Sequence, residues 1–288
     1  EVKVKEKTND ISSQINSDNY FQQIRVRDFM FYKCKNIRRI GGKPKSVKNA
    51  PDNLWRIDGA WYICMDTNAN PEKSNCHVLS LGINHDYTFD EEMRYSFDCS
   101  VFSFDPFVES DKFKKIRESS PSLNNSIVLK VDNKWSFYRV GIVGKTNEQK
   151  TLENLRIKDL IDLDNILDLT NLRNKVIDVF KMDIEGPEKG VFNNLDMEYA
   201  CKYIKNLIFE THKNSKFVDL VKLEECFRLF WRSTRFFAGD SNGPTGHLTE
   251  FQSPKGWKLE IKQFKNELNL AEFMFTTGEL YFVNINFL

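Results

Sequence analysis

Acidic and small residues stand at the ends of four apolar runs in this 288-residue chain. Val78-Leu79-Ser80-Leu81 stops at Gly82, and Val101-Phe102-Ser103-Phe104 stops at Asp105. Val176 to Met182 leads into Asp183-Ile184-Glu185-Gly186, and Ile204 to Phe209 into Glu210-Thr211-His212. Apolar runs of strand length suit a parallel sheet buried on both faces, where a ligand lies across the carboxyl ends of the strands. Gly82 suits a tight turn, and Asp105, after the second strand, is placed to accept hydrogen bonds from ribose hydroxyls. The chemistry expected is therefore that of a nucleotide-like ligand held in one crevice by Ser80 to Asn84, Asp105, Asp183 to Glu185 and Glu210 to His212. The glycine pattern alone is thin: GxGxxG is absent, with Asn84 and Asp86 where further glycines would stand.

The elements that must position these residues follow from periodicity. A helix-compatible segment between Gly82 and Val101 makes the first two runs a βαβ unit. Pro187 is placed to start a helix whose apolar stripe is Val191, Phe192 and Leu195. Strands are expected at 127–131 and 135–143 around the turn Asp132-Asn133-Lys134, at 227–231, and at Glu279–Asn284, the last as an edge strand. Trp55 to Ile63 reads as a strand, an Asp-Gly turn and a second strand. Helices are expected over 151–172 and 217–225, and over 20–37 as a cap ended by Gly41-Gly42. Residues 238–258, rich in Gly, Pro and polar types, read as a long loop. The sum is an α/β protein with a Rossmann-like, doubly wound, seven-stranded, mostly parallel sheet.

Composition narrows the function classes. Lys plus Arg number 42 against 41 Asp plus Glu, so net charge argues for neither nucleic acid nor a membrane surface. No apolar run approaches the roughly 20 residues that span a bilayer. Residue 1 is Glu rather than Met, so the chain is read as a processed or trimmed product, compatible with a removed signal or anchor segment. Six cysteines are few for a disulfide scaffold, and their spacing excludes a CxxC zinc site. Reduced cysteines are the plainer reading; a bridge between Cys64 and Cys76, across the turn at Asn68 to Pro71, is the sharper one. The sequon Asn124-Asn125-Ser126 tilts the reading toward a secretory route.

VLSLGINHDYTFDEEM, VFSFDPF, FKMDIEGPEKGVF and LIFETH occur in that order. Before them stand Arg39-Ile40-Gly41-Gly42 and Asp58-Gly59 with Cys64, and an ELYFVN strand closes the chain. Over about residues 39–288 this resembles the methyltransferase-like protein 24 group of class I S-adenosylmethionine-dependent methyltransferases, which share the DIEG pattern with FkbM-type enzymes. With the polar, aperiodic start and the expected helix at 20–37 read as an N-terminal arm and helical cap at 1–54, the resemblance implies a class I methyltransferase domain at 55–288. It implies S-adenosylmethionine as cofactor, with Ser80, Gly82 and Asn84 under its methionine part and Asp105 on its ribose. Asp183, Glu185 and His212 are the catalytic candidates. The two acids are expected on one side of a strand end, and His212 as a base near neutral pH. Loop structure is the plainer reading of His85, and a cap or ion pair that of His212. Asp183, Glu185 and Glu210 are also oxygen donors of the kind Mg²⁺ or Ca²⁺ takes, although acids that bond backbone amides are commoner and no metal is assigned.

The expected reaction is O-methylation of a glycan, small-molecule or other hydroxyl acceptor by a monomer. Its expected compartment is the Golgi lumen or extracellular space, with the cytoplasm as the alternative. Two other classes stay open: a catalytically silent binding domain on the same scaffold, and a nucleotide-sugar-dependent glycosyltransferase using Asp183-x-Glu185. An NAD-dependent dehydrogenase fits least, lacking the second and third glycines.

Overall fold

A computed structural model describes residues 32–46, 55–84, 86–107, 126–147, 149–211, 220–234, 248–253, 256–261 and 278–288. In chain order its strands and helices are β1 (Ile37–Ser46), β2 (Trp55–Cys64), β3 (His77–Leu81), α1 (Thr88–Tyr95), β4 (Ser100–Phe104), β5 (Val128–Lys130), β6 (Trp135–Tyr138), β7 (Gly141–Ile142), β8 (Leu160–Ile161) and α2 (Leu163–Leu169). There follow β9 (Ile177–Met182), α3 (Glu188–Asn194), α4 (Met197–Tyr203), β10 (Ile204–Thr211), β11 (Phe227–Thr234), β12 (Leu248–Ser253), β13 (Gly256–Ile261) and β14 (Gly278–Asn284).

The central sheet has the order β11-β14-β10-β9-β3-β4-β6-β5, eight strands rather than the seven expected. β5, the first arm of the hairpin expected around Asp132 to Lys134, pairs antiparallel with β6 at the edge. From β3 the chain steps outward to β4 and β6, then returns to β9 on the other side of β3 and continues to β10. All these neighbours are parallel, so their carboxyl ends share one edge, and the order reverses at β3. Such a reversal point is where a crevice opens in an α/β sheet. β14 is not the edge strand its position in the chain suggested. It lies antiparallel between β10 and β11, which is why Leu280, Tyr281, Phe282 and Val283 are all buried.

Alternation along the strands makes two cores. Leu79, Leu81, Phe104, Phe180, Met182, Leu207 and Phe209 face α2, α3 and α4 through Ile166, Val191, Phe192 and Ala200. Val78, Val101, Val179, Ile208 and Tyr281 face the other way, against Phe89 and Met93 of α1 and Trp61 and Ile63 of β2. On that side lies a second, antiparallel sheet, β1-β2-β12-β13.

Several expectations change here. Most of the expected cap helix lies outside the described residues, and its described end, 32–36, is not helical. Gly41-Gly42 sit inside β1, where their amides donate to Glu92 Oε2 at 2.8 Å and Thr88 Oγ1 at 2.7 Å of α1. Asp58-Gly59 does not turn the chain, because β1 offers β2 a partner from Cys64 to Trp55. The expected 151–172 helix shortens to α2, whose start is fixed by Asp162 Oδ1 accepting from Asn165 N at 3.0 Å; just before it, β8 pairs with β7. Of the expected helix at 217–225, residues 220–225 form a 3₁₀ turn and 217–219 lie outside the described residues. The expected loop at 238–258 contains β12 and the start of β13, whose paired backbones join β2 through Gln252 and Trp55.

All six cysteines are paired, as Cys34–Cys64, Cys76–Cys99 and Cys201–Cys226. The Cys64–Cys76 bridge is thus corrected. β3 and β4 run parallel with His77 beside Ser100, so the residues just before them, Cys76 and Cys99, meet with Cα atoms 4.7 Å apart. Cys64 ends β2 and meets the chain entering β1.

Candidate functional site

At the carboxyl ends of β3, β4 and β9 the sheet opens into a pocket of about 400 Å³. Gly82, Asn84, Asp105, Asp183 and Glu185 line it, together with Phe104, Pro106, Phe107, Gly141, Ile142, Leu160, Ile184 and Pro187. Gly82 is where the two central strands come closest. Its φ is +75°, and a Cβ there would lie 1.6 Å from the Asp183 carbonyl oxygen, so no other residue fits without moving one of the chains. The approach is fixed by Asp183 N donating to Leu81 O and Gly82 N donating to Phe104 O, both at 2.8 Å.

Asp105 organises the loop that leaves Gly82. Its Oδ2 accepts from Ile83 N at 3.0 Å and Asn84 N at 2.9 Å, and its Oδ1 from Phe107 N at 2.8 Å. A carboxylate offers about four acceptor positions, so one remains for a ligand hydroxyl beside these three. Asn84 takes a left-handed conformation, φ +51°, and its amide is one of those that donate to Asp105.

Asp183 and Glu185 both reach the pocket wall, but not as alternating residues of one strand. β9 ends at Met182, Glu185 turns to φ +55° and is exposed, and Asp183 is half-buried. Ser80 is not in the wall. It is fully buried within β3, two residues before Gly82, and its hydroxyl lies beside Asp90 of α1. His212 and His85 lie outside the described residues. Glu210 is buried at the end of β10, in register with Glu279 of β14, whose carboxylate accepts from the Tyr281 hydroxyl. Asp183, Glu185 and Glu210 do not gather as a metal site. Among the described residues the one cluster of ligating atoms within 4.8 Å is Cys34, Cys64 and Asp66, and its two sulfurs are bonded to each other.

The apolar wall escaped the sequence reading. Phe104 is backed by Tyr138, stacked at 4.5 Å, whose phenol burial pushes up to about 12, so it stays neutral. Ile142 and Leu160 come from the short β7–β8 ladder, and Phe107, 71% exposed, stands at the mouth with Lys158 Nζ 5.2 Å from its ring centre. The one sequence signal for this wall was the glycine of Val140-Gly141-Ile142 following an apolar strand.

A large, mostly parallel central sheet whose strand order reverses above a pocket with an apolar side and three acids defines the class as a mixed α/β protein. The comparisons then give the family. The chain belongs to the FkbM methyltransferase family: the model described as Methyltransferase FkbM domain matches residues 47–230, which include β2 to β10 and all of the described pocket wall. The human protein described as "Probable methyltransferase-like protein 24" is 25% identical over 177 residues, 60% of this chain and 43% of that protein. Its rat counterpart, under the same description, is 26% identical over 177 residues, 60% of this chain and 44% of that protein. Each match thus takes in less than half the relative's length. A crystal structure titled as a methyltransferase homolog protein from Pyrococcus horikoshii aligns over 93% of this chain and 82% of its own, at 13% identity and a TM-score of 0.30, a likeness too slight to argue from.

Proposed function

We propose that this chain is an S-adenosylmethionine-dependent methyltransferase that O-methylates a hydroxyl acceptor on a glycan or small molecule. The observation that carries the reading is the Gly82–Asp105 arrangement at the reversal point of the sheet in a member of this family. The pocket suits the cofactor. Its volume lies in the range of about 300–1,000 Å³ usual for small-molecule sites, and it is apolar on one side and acidic on the other. When bound, S-adenosylmethionine supplies an electrophilic methyl group on a cationic sulfonium.

Phe104, Ile142, Leu160 and Ile184 would take the purine, which gains by leaving water. Asp105 would accept from a ribose hydroxyl with its remaining lone pair. Asn84 and the Gly82 turn would line the methionine part, and Asp183 and Glu185 would set a negative potential that favours a cation. His212, directly after β10 in the chain, is proposed as the base that takes the acceptor's proton.

The three disulfides favour an oxidising compartment, the secretory lumen or the extracellular space. A monomer acting on a glycan or small molecule, without nucleic acid, agrees with the near-neutral charge. Isothermal titration with S-adenosylmethionine tests the reading, with binding expected for the wild type and a loss of at least about tenfold for Asp105→Ala, which frees the amides of Ile83, Asn84 and Phe107. No heat for either protein, or equal affinities, overturns it. Binding without methyl transfer in a radiolabelled acceptor screen would assign the scaffold to a silent binding role, and binding of a UDP-sugar with Mn²⁺ to glycosyl transfer.

A further inference from the structure

Lys181 is a buried cation in the middle of the central sheet, 3% exposed, where an uncompensated charge is costly. Its ammonium donates to the Gly82 carbonyl oxygen at 2.5 Å and stands 4.8 Å from the centre of the Trp61 ring. The acid that interacts with it electrostatically is Asp90 of α1, fully buried, whose carboxyl burial pushes up and the Lys181 charge pulls back down. Asp90 Oδ1 accepts from the Ser103 hydroxyl at 2.5 Å, and Ser103 Oγ accepts from Trp135 Nε1 at 2.9 Å. Asp90 Oδ2 takes no hydrogen bond, and the nearby Ser80 hydroxyl stops short of a well-formed one. A polar layer therefore runs under the pocket floor, from β6 through β4 and α1 to β9, and ends on the backbone of Gly82.

That end point matters because of which peptide it grips. The bond from Gly82 to Ile83 is a rigid plane with oxygen and N–H on opposite sides. Lys181 holds its oxygen, and Asp105, itself part of the pocket wall, holds its N–H. Both bonds involve a charged group, the stronger kind of hydrogen bond. With only one in place, the plane can rotate and carry the Asn84 amide away from Asp105. We propose that Lys181, facing the buried Asp90, is a positioning residue that fixes the Gly82–Ile83 peptide and so sets the shape of the ligand pocket. For the ligand's identity, this rests on the reading of the pocket as an S-adenosylmethionine site.

Lys181→Met alone would leave Asp90 buried without its counter-charge and destabilise the fold, so the informative protein is the double variant Asp90→Asn/Lys181→Met, which removes both charges. Two measurements decide. Amide hydrogen exchange needs no ligand: the Ile83 and Asn84 amides are expected to exchange at least about tenfold faster than in wild type, while Val101 and Val179 in the sheet interior keep their rates. Isothermal titration with S-adenosylmethionine is expected to show roughly tenfold weaker binding in a variant whose melting temperature is near wild type. Unchanged exchange at Ile83 and Asn84 in the folded double variant overturns the proposal. Faster exchange with unchanged affinity overturns the link to the ligand. Absence of binding by wild type refutes the proposed cofactor instead, and the exchange result still decides what Lys181 holds.

Discussion

The sharpest structural demand at the site is that residue 82 carry no side chain, and Gly82→Ala tests it. The new Cβ would stand 1.6 Å from the Asp183 carbonyl oxygen, where ordinary contact begins at 3.4 Å, so about 1.8 Å must be recovered by moving one chain. Neither retreats cheaply, since Asp183 N is bonded to Leu81 O and Gly82 N to Phe104 O. The left-handed conformation adds roughly 1–2 kcal/mol for an L residue, and forcing an extra methyl into a packed site adds roughly 1–3 kcal/mol. In a chain of this size each kcal/mol lowers the melting temperature by about 2–4 °C, so a drop on the order of 5–15 °C is expected by calorimetry. Affinity for S-adenosylmethionine should fall with it, by at least about tenfold, because a displacement of about 1 Å suffices to spoil an aligned site. Gly186→Ala is the control. Its φ is +128° but nothing lies within 4 Å of its Cβ, so it carries backbone strain without the clash. If Gly82→Ala melts within about 1 °C of wild type and binds equally well, or if the two variants fall alike, close approach at Asp183 is not what residue 82 provides.

Non-reducing peptide mapping should recover Cys34–Cys64, Cys76–Cys99 and Cys201–Cys226. Any peptide joining Cys64 to Cys76 contradicts the pairing. Replacing Cys76 and Cys99 together by Ser opens a closure of 23 residues and should cost roughly 3 kcal/mol on the chain-entropy account, seen as a melting point about 6–12 °C lower. Asp66 sets an acid dependence. Burial pushes its carboxyl up, but the amides of Lys35 and Asn36 and the Tyr32 hydroxyl outweigh this and hold it below the usual value. A carboxyl held low when folded stabilises fully above its unfolded pKa of about 3.9, and that stability is lost as pH falls through the folded value. The melting point of wild type should therefore drop more steeply between about pH 5 and pH 2 than that of Asp66→Asn; parallel curves would show that Asp66 contributes nothing.

What could be read from the chain alone was whatever depends on residues close in sequence. The runs at 78–81 and 177–182 are strands buried on both faces, that at 101–104 is buried except at the half-buried Phe102, and the residues that end them meet at the pocket. Non-local choices were hidden. Nothing in ELYFVN says that β14 inserts between β10 and β11, since its partners are set by pairing across the whole sheet. Nor can Cys76 announce Cys99 before β3 and β4 are known to be parallel neighbours in register. The expected helix at 151–172 failed for another reason: Leu155, Ile161 and Leu172 are buried from irregular or extended backbone, so apolar spacing there records contact with the core, not a helical period.

Ser80 shows how a misassignment can carry information. The family resemblance places it under the cofactor with Gly82 and Asn84, yet strand alternation buries it. The same pattern occurs three times: Ser80 two residues before Gly82, Ser103 two before Asp105, Lys181 two before Asp183. A spacing of two keeps both members of each pair on one face of the sheet, and register sets Ser103, Ser80 and Lys181 side by side. Among the Val, Leu, Phe and Met that fill the carboxyl halves of these strands, each of these polar groups carries a burial cost that packing alone does not explain. Their common position, one step beneath the pocket and opposite Asp90, gives them a shared reason: the face that must present Gly82, Asp105 and Asp183 in fixed orientation rests on a layer held by hydrogen bonds and charge. At the carboxyl ends of β3, β4 and β9 the exceptions to the apolar pattern point to the site as directly as the residues that line it.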